Sequence, residues 1–375
     1  MKNKLRITIM SIIILLISIF NMLIPIRSFS ELENRYLEIL PNLKYEDILD
    51  GDYSSDFEKY TTDQFPFRDI WIRIKTASDL ILMKKDNGRV YFGKNEFLFD
   101  VNNKVDYEKL KNNIQYINKF IEKLNTEKNL KVNLIIIPSK ESIHEEHLPD
   151  YAPIIDEINL SSIIESHVST QGEVLNLIPV LKTKKDEYIY YKTDHHWTSL
   201  GAYYSYLEIA NVLGFKPLEK EAFKKELVSK DFLGSQYRKI NLFNGSADEI
   251  YKYSLDKDII NSIIVNENVE RNDLYDYSFL EKGDKYSFFL GGDYGLTEIN
   301  TKNYNGKSLL LIKDSFSNSL VPFLTNHYEK IYMVDTRYYG GSVTNFALDN
   351  EFDDIVLALN NMNIAQFNSL GSLTR

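Results

Sequence analysis

The chain has 375 residues, 43% of them hydrophobic and 26% charged, with a net charge of −10 and no cysteine. That length suffices for one large domain or a domain with an appendage. The missing cysteines exclude disulfides, thiolate nucleophiles and thiolate metal sites, and an acidic balance without a basic block argues against nucleic acid as a partner.

At the N-terminus, Lys2, Lys4 and Arg6 precede an uncharged apolar run from Ile7 to Ile24. A bilayer crossing takes roughly 17–25 such residues. The residues that follow, Pro25, Ile26, Arg27 and Ser28, offer no small-x-small cleavage site. The pattern predicts a signal anchor over residues 1–27 with its basic end inside, holding a single-pass protein whose remainder is extracytoplasmic. The alternative is a cleaved signal peptide and a secreted product.

Residues 28–104 read as a membrane-proximal stalk. Glu31, Glu33, Asn34 and Arg35 make its start polar, and a helical pattern from Tyr53 to Met83 is interrupted at Pro66. Val90–Gly93 and Phe97–Phe99 suggest a hairpin around a Gly-Lys-Asn turn.

Residues 105–375 read as the main domain. Leu110, Ile114, Ile117, Ile121 and Leu124 recur at helical spacing. A buried-strand run, Val132–Ile137, is closed by Pro138. A helix over Ile155–His167, strands at Val174–Leu177 and Tyr188–Tyr191, and a helix over Ser199–Leu213 ended by Gly214 follow. Residues 219–300 are tyrosine-rich hairpin material, read as an insertion, with a turn at Gly291-Gly292. A strand at Ser308–Ile312, a helix near Asn318–Tyr328, and strands at Lys330–Val334 and Ile355–Leu359 complete the chain. This alternation predicts an α/β fold with a mostly parallel sheet covered on both faces.

In such sheets reactive groups gather at the carboxyl ends of the strands. Ser315, in Lys313-Asp314-Ser315-Phe316-Ser317, sits where a strand meets a helix. It is either a nucleophile facing the crevice or part of a helix cap. In Thr193-Asp194-His195-His196-Trp197-Thr198, Asp194 and His196 can act as orienting carboxylate and base, His195 being left without a set role. A metal site on Asp194, His195 and His196, or simply structural histidines, are the rival readings. His144 and His147, in His-Glu-Glu-His, lack the zinc-protease order, so neither a metal nor any other cofactor is expected. Asn360 and Asn361 follow a strand and offer either a side-chain donor to an oxyanion or a turn. Arg337 and Tyr338 close another strand, where they can contact substrate or cap the sheet edge.

The stretch from Thr193 to Ala202, TDHHWTSLGA, resembles the DHHW family, whose relatives include alginate O-acetylation proteins of the AlgX/AlgJ type. Glu33-Asn34-Arg35, Asp63 to Arg68, Ile137-Pro138-Ser139-Lys140 with Leu148-Pro149, and Lys313 to Phe316 recur in the same order in such proteins. The resemblance implies an SGNH-hydrolase-like, flavodoxin-like three-layer α/β fold, circularly permuted so that the Asp/His pair precedes the serine. It implies Ser315 as nucleophile, His196 as base and Asp194 as its orienter. It further implies a backbone donor within Arg337–Gly341 and an oxyanion Asn at Asn361 in preference to Asn360. The activity implied is extracytoplasmic O-acetylation of a polysaccharide, with a membrane-bound O-acyltransferase partner supplying the acetyl group. Other outcomes of the same sequence are a carbohydrate acetylesterase, with water as acceptor, and a non-catalytic component of an export complex.

Overall fold

The computed structural model describes every residue except 1, 31, 32, 34, 44, 170, 171, 243 and 244. The polar positions Glu31 and Asn34 therefore lie outside the described residues. The chain divides into a unit of residues 1–87 with 237–245 and a unit of residues 88–236 with 246–375.

In the first unit, helix α1 (Lys2–Leu23) carries the apolar run; its Lys4–Asn21 stretch is long and apolar enough to cross a membrane. The expected helical stretch splits into α2 (Asp52–Asp63) and α3 (Arg68–Ile81). Pro66 stands in the gap between them, where a missing N–H and a ring clash disfavour a continuous helix. Buried Asp63 takes the guanidinium of Arg35 at 2.5 and 2.8 Å, and buried Arg68 meets Glu33 at 2.8 Å.

The second unit begins with the expected hairpin, β1 (Val90–Phe92) against β2 (Leu98–Asp100). This hairpin, expected as part of the segment 28–104, belongs to the second unit. Helix α4 (Tyr107–Lys128) starts where the Asp106 carboxylate accepts the Lys109 N–H, and it stops at a left-handed Asn129. Strand β3 (Val132–Ile137), α5 (Glu157–His167), β4 (Val174–Asn176) and α6 (Ser199–Leu213, ended by Gly214) follow. Then come β5 (Lys224–Phe232), β6 (Asp248–Ser254), β7 (Ile260–Val265), β8 (Val269–Arg271), β9 (Leu296–Thr301), β10 (Ser308–Lys313), β11 (Lys330–Val334), α7 (Val343–Asp349), β12 (Asp354–Asn360) and α8 (Asn361–Gln366).

The main sheet runs β8-β7-β9-β11-β10-β12-β3-β4. From β11 to β4 every pairing is parallel; from β11 outward to β8 every pairing is antiparallel. The parallel strands are apolar on both faces. Ile135, Leu311 and Val356 enter one core; Leu134, Leu310 and Leu357 enter the other. Continuous apolar runs are what a doubly covered sheet demands.

Three expectations change here. Residues 219–300, expected as hairpin material inserted into the main domain, are only in part separate hairpin: β5 and β6 pair with each other, but β7, β8 and β9 extend the main sheet. Tyr188–Tyr191 is not a strand; its only bridge among the described residues joins Tyr190 to Trp197 across a tight loop. The helix expected near Asn318–Tyr328 shrinks to a 3-10 turn over Ser315–Ser319 and one α-turn over Val321–Leu324. There Pro322 lacks an N–H, and Thr325 and Asn326 bond back to nearby carbonyls instead of extending the helix.

Candidate active site

Strand β10 ends at Lys313, and Asp314 turns the chain into the Ser315–Ser319 turn. One oxygen of Asp314 accepts the Phe316 N–H at 3.1 Å. The other accepts the Asn360 N–H at 2.6 Å and the Asn363 side-chain amide at 2.8 Å. Asp314 is therefore the cap, and it ties the turn to the end of β12. Burial pushes its carboxyl up, while these hydrogen bonds pull it down less strongly. Ser315 is half-buried, and no acceptor among the described residues takes its backbone N–H.

Asp194 and His196 arrive on the tight loop. Tyr191 N–H donates to His196 O at 3.2 Å and Thr198 N–H to Ile189 O at 2.8 Å, closing its neck. At the tip, Asp194 Oδ1 accepts the His196 N–H at 3.0 Å and lies 2.6 Å from His196 Nδ1. His196 Nε2 lies 2.7 Å from Ser315 Oγ. If Nδ1 donates to the carboxylate, Nε2 is the acceptor of the serine proton; the tautomer is inferred from this network. Burial raises the Asp194 carboxyl, but the imidazoles of His196 and His195 and the Ser235 N–H, 2.7 Å from Oδ2, outweigh it and hold the group well below the usual carboxylate range. A Cβ at Gly234 would lie 2.2 Å from that of Asp194, so only glycine lets this backbone approach.

Several buried groups hold the loop. The Lys140 ammonium donates to the carbonyls of Tyr191, Lys192 and Asp194 at 2.9, 3.0 and 2.8 Å and to Gln236 Oε1 at 2.6 Å. Burial pulls this lysine down to about 8 against the charges of Glu141, Asp248 and Asp194. Asp248 accepts the N–H groups of Lys192 and Thr193 at 2.9 and 2.7 Å and the Thr193 hydroxyl at 2.5 Å. The Trp197 indole N–H reaches Phe316 O at 2.9 Å, fastening loop to serine turn. Tyr286 stacks on the His196 ring, and its hydroxyl donates to Ser315 O at 3.1 Å. Of these groups, Lys140, in the recurring Ile-Pro-Ser-Lys segment, and Thr193 and Trp197, in the Asp-His-His-Trp stretch, carried a signal in the sequence; Asp248, Gln236 and Tyr286 did not.

The other expected residues are placed differently. Both amide hydrogens of Asn361 are used by Glu157 O at 3.0 Å and Ser161 Oγ at 2.9 Å, so this side chain faces α5 and the preference for it as oxyanion donor is corrected. As the first residue of α8, Asn361 is turned into the core. The Asn360 amide donates to Ile137 O and Ser139 Oγ, pinning β12 to the end of β3. Beside the relay, the Ser315 N–H is a donor with no acceptor among the described residues. Arg337 does not stand open to substrate: it meets Asp335 at 2.5 Å and Asp293 at 2.9 Å, and Asp293 also takes the buried Lys313 at 2.6 Å. Tyr338 is exposed beside it. His195 bonds Ser235 Oγ through Nδ1 at 2.7 Å and remains partly open to solvent.

Ligand atoms of Asp194, His195 and His196 lie within 4.8 Å of one another, but both nitrogens of His196 are already engaged, with a carboxylate and a hydroxyl. His144 is buried with neither ring nitrogen bonded, its ring among those of Phe97 and Tyr190. An open cleft of about 470 Å³ between Lys252, Asn272 and Asn326 includes none of the residues of the serine relay.

A family model described as DHHW protein matches residues 164–334, which hold the Asp/His loop and the serine. The probable alginate O-acetylase AlgJ of Pseudomonas syringae pv. tomato is 26% identical over 187 residues, 46% of each chain. The chain thus spans about half the length of the curated relatives it matches. Among solved structures, a DHHW family protein from Eubacterium siraeum superposes with a TM-score of 0.62 at 24% identity, over 74% of this chain and 91% of that one. Bacillus cereus PatB1, solved with a sulfonyl adduct, gives 0.67 at 18% identity, over 78% and 100%. The fold is thus shared with these proteins, and the resemblance to the DHHW family stands.

Proposed function

We propose that this chain is an extracytoplasmic O-acetyltransferase that modifies a polysaccharide through an acetyl-serine at Ser315. The observation that carries this reading is the continuous relay from Asp194 through His196 to Ser315, with links of 2.6 and 2.7 Å. His196 Nε2 takes the Ser315 proton as Oγ attacks the carbonyl carbon of an acetyl donor. The Ser315 N–H meets the developing oxyanion. The donor's leaving group departs with the proton from His196, and the acetyl group stays on Oγ. A sugar hydroxyl then gives its proton to Nε2 and attacks the ester, and Ser315 recovers its proton as the acetylated sugar leaves.

The alginate O-acetylase name of the relative supports a polysaccharide acceptor, and α1 supports anchorage at the outer face of a membrane. Acetyl-CoA is absent there, so the donor has to be passed across, for which a membrane-bound O-acyltransferase is the partner we propose. The test is acetyl transfer from a model ester to oligosaccharides, read by mass spectrometry, beside sulfonyl fluoride labelling. A sulfonyl adduct on Ser315 and acetylated sugar are expected. Acetate release without transfer would make the chain an esterase, and no adduct on folded protein would remove the enzyme reading.

A further inference from the structure

Helix α3 is amphipathic, and it is inside out. Arg68, Thr76 and Asp79 are buried on one side. Thr76 donates to Ile240 O at 2.8 Å, Arg68 meets Glu33, and Asp79 takes Lys75 and Lys84 at 2.9 and 2.6 Å. The opposite side carries Phe67, Ile70, Trp71, Ile74 and Ile81, which follow the i, i+3, i+4, i+7 spacing of one helical stripe. These five are 44–79% exposed. Water is a poor partner for a contiguous apolar stripe on a helix whose polar side is already satisfied within the protein.

The stripe is continuous with α1. Phe67 adopts a left-handed backbone, φ 58°, which is rare for a bulky residue, and its ring meets that of Phe20 edge-on at 5.3 Å. Phe20 belongs to the apolar stretch of α1 long enough to span a bilayer. Just beyond α1, Arg27 meets Asp69 at 2.8 Å, and its backbone exchanges hydrogen bonds with Gln64 at 3.0 and 2.9 Å. These contacts set the start of α3 beside the outer end of α1, where headgroups meet acyl chains.

We infer that α3 lies in the membrane plane, its Phe67–Ile81 stripe sunk into the outer leaflet beside the anchor. The occupant of the stripe is lipid, and its attraction is apolar: Lys75 and Lys84, exposed lysines on and just beyond the helix, are already paired with Asp79 and are not free to select anionic headgroups. The anchor becomes a two-point attachment that fixes the tilt of the first unit on the membrane. This rests on α1 crossing the bilayer.

The composition supplies the probe. The chain has two tryptophans, Trp71 on the stripe and Trp197 fully buried in the second unit, and no cysteine. The full chain is reconstituted in phosphatidylcholine vesicles with plain or brominated acyl chains. Flotation with the vesicles reports α1 alone. Among floating protein, brominated lipid is expected to remove the Trp71 share of the emission and to leave a Trp71→Phe variant unchanged. Independently, a polarity-sensitive dye on Ile74→Cys is expected to emit at shorter wavelength than the same dye on Lys59→Cys. Equal emission in both lipids, with equal dye spectra, overturns the inference. So does protection of both probes in a cross-linkable dimer, which would give the stripe to a second copy.

Discussion

The ring of Tyr286 lies parallel to that of His196, centroids 3.8 Å apart and planes within 3°. Tyr286 precedes β9 in the span that extends the sheet, so the antiparallel edge of the fold reaches back to support the base. Stacking fixes the plane of the imidazole, and the buried phenol, bonded to Ser315 O, fixes the serine turn from the same side chain. Tyr286→Phe should keep the stacking and lose less than about tenfold in kcat. Tyr286→Ala should lose about 100-fold, since a misplacement of about 1 Å has that effect. Steady-state kinetics on a model acetyl ester separate the two.

Ser315→Ala and His196→Ala should each lower kcat by on the order of 10⁴ or more, and the double variant should be no worse than either, because the residues act as one unit. Asp194→Asn should lose about 10⁴ while folding normally, since the amide favours the wrong imidazole tautomer. Additive losses in the double variant would show that the serine and histidine work separately.

Lys140 has no contact with Ser315 among those described; it is a positioning residue that acts through the carbonyls of the Asp/His loop. Lys140→Met removes the ammonium hydrogen bonds to the carbonyls of Tyr191, Lys192 and Asp194 and should cost about 3 kcal/mol of stability, as for a broken buried charge network. Below its melting temperature the variant should show a lowered kcat with KM nearly unchanged. Thermal unfolding and kinetics measured together check this; an unchanged kcat in folded protein would leave Lys140 a purely structural group.

His144 gives a pH prediction. Burial lowers its imidazole to about 4 from 6.5, and His327 is lowered to about 4 in the same way. Between pH 6.5 and 4 the unfolded chain binds the protons that the folded chain refuses. Stability therefore rises with pH across this window and is lost as pH falls through it. His144→Phe fits among the surrounding aromatic rings, removes two unbonded nitrogens and should stabilise the fold by about 1–2 kcal/mol at neutral pH. Chemical denaturation at pH 7 and pH 5 should show the variant losing less on acidification than the wild type.

The sequence alone determined what depends on local order. The periodicity of Leu110–Leu124 and the apolar run Val132–Ile137 specify a helix and a doubly buried strand wherever they are placed. Gly214 and Pro66 mark breaks through backbone constraints that need no partner. The apolar run after Lys2, Lys4 and Arg6 is legible for the same reason. The residue types of the serine relay were legible too, because few combinations can activate a hydroxyl, and the segments carrying them resemble known ones.

Tertiary structure alone decided how those segments meet. Asn360 and Asn361 are identical side chains one residue apart. Successive residues at the junction of β12 and α8 point in different directions, so one pins β3 and the other faces α5. Tyr188–Tyr191 has the composition of a strand, but among the described residues the loop through Trp197 leaves it a single bridge. Lys140, Ser235 and Tyr286 support the base from positions 41 to 90 residues away from Asp194 or His196; nothing in local spacing encodes contacts at such range. The polar face of α3 is inward because Ile240, Glu33 and two lysines satisfy it there, a pairing that hydropathy alone would have turned toward water.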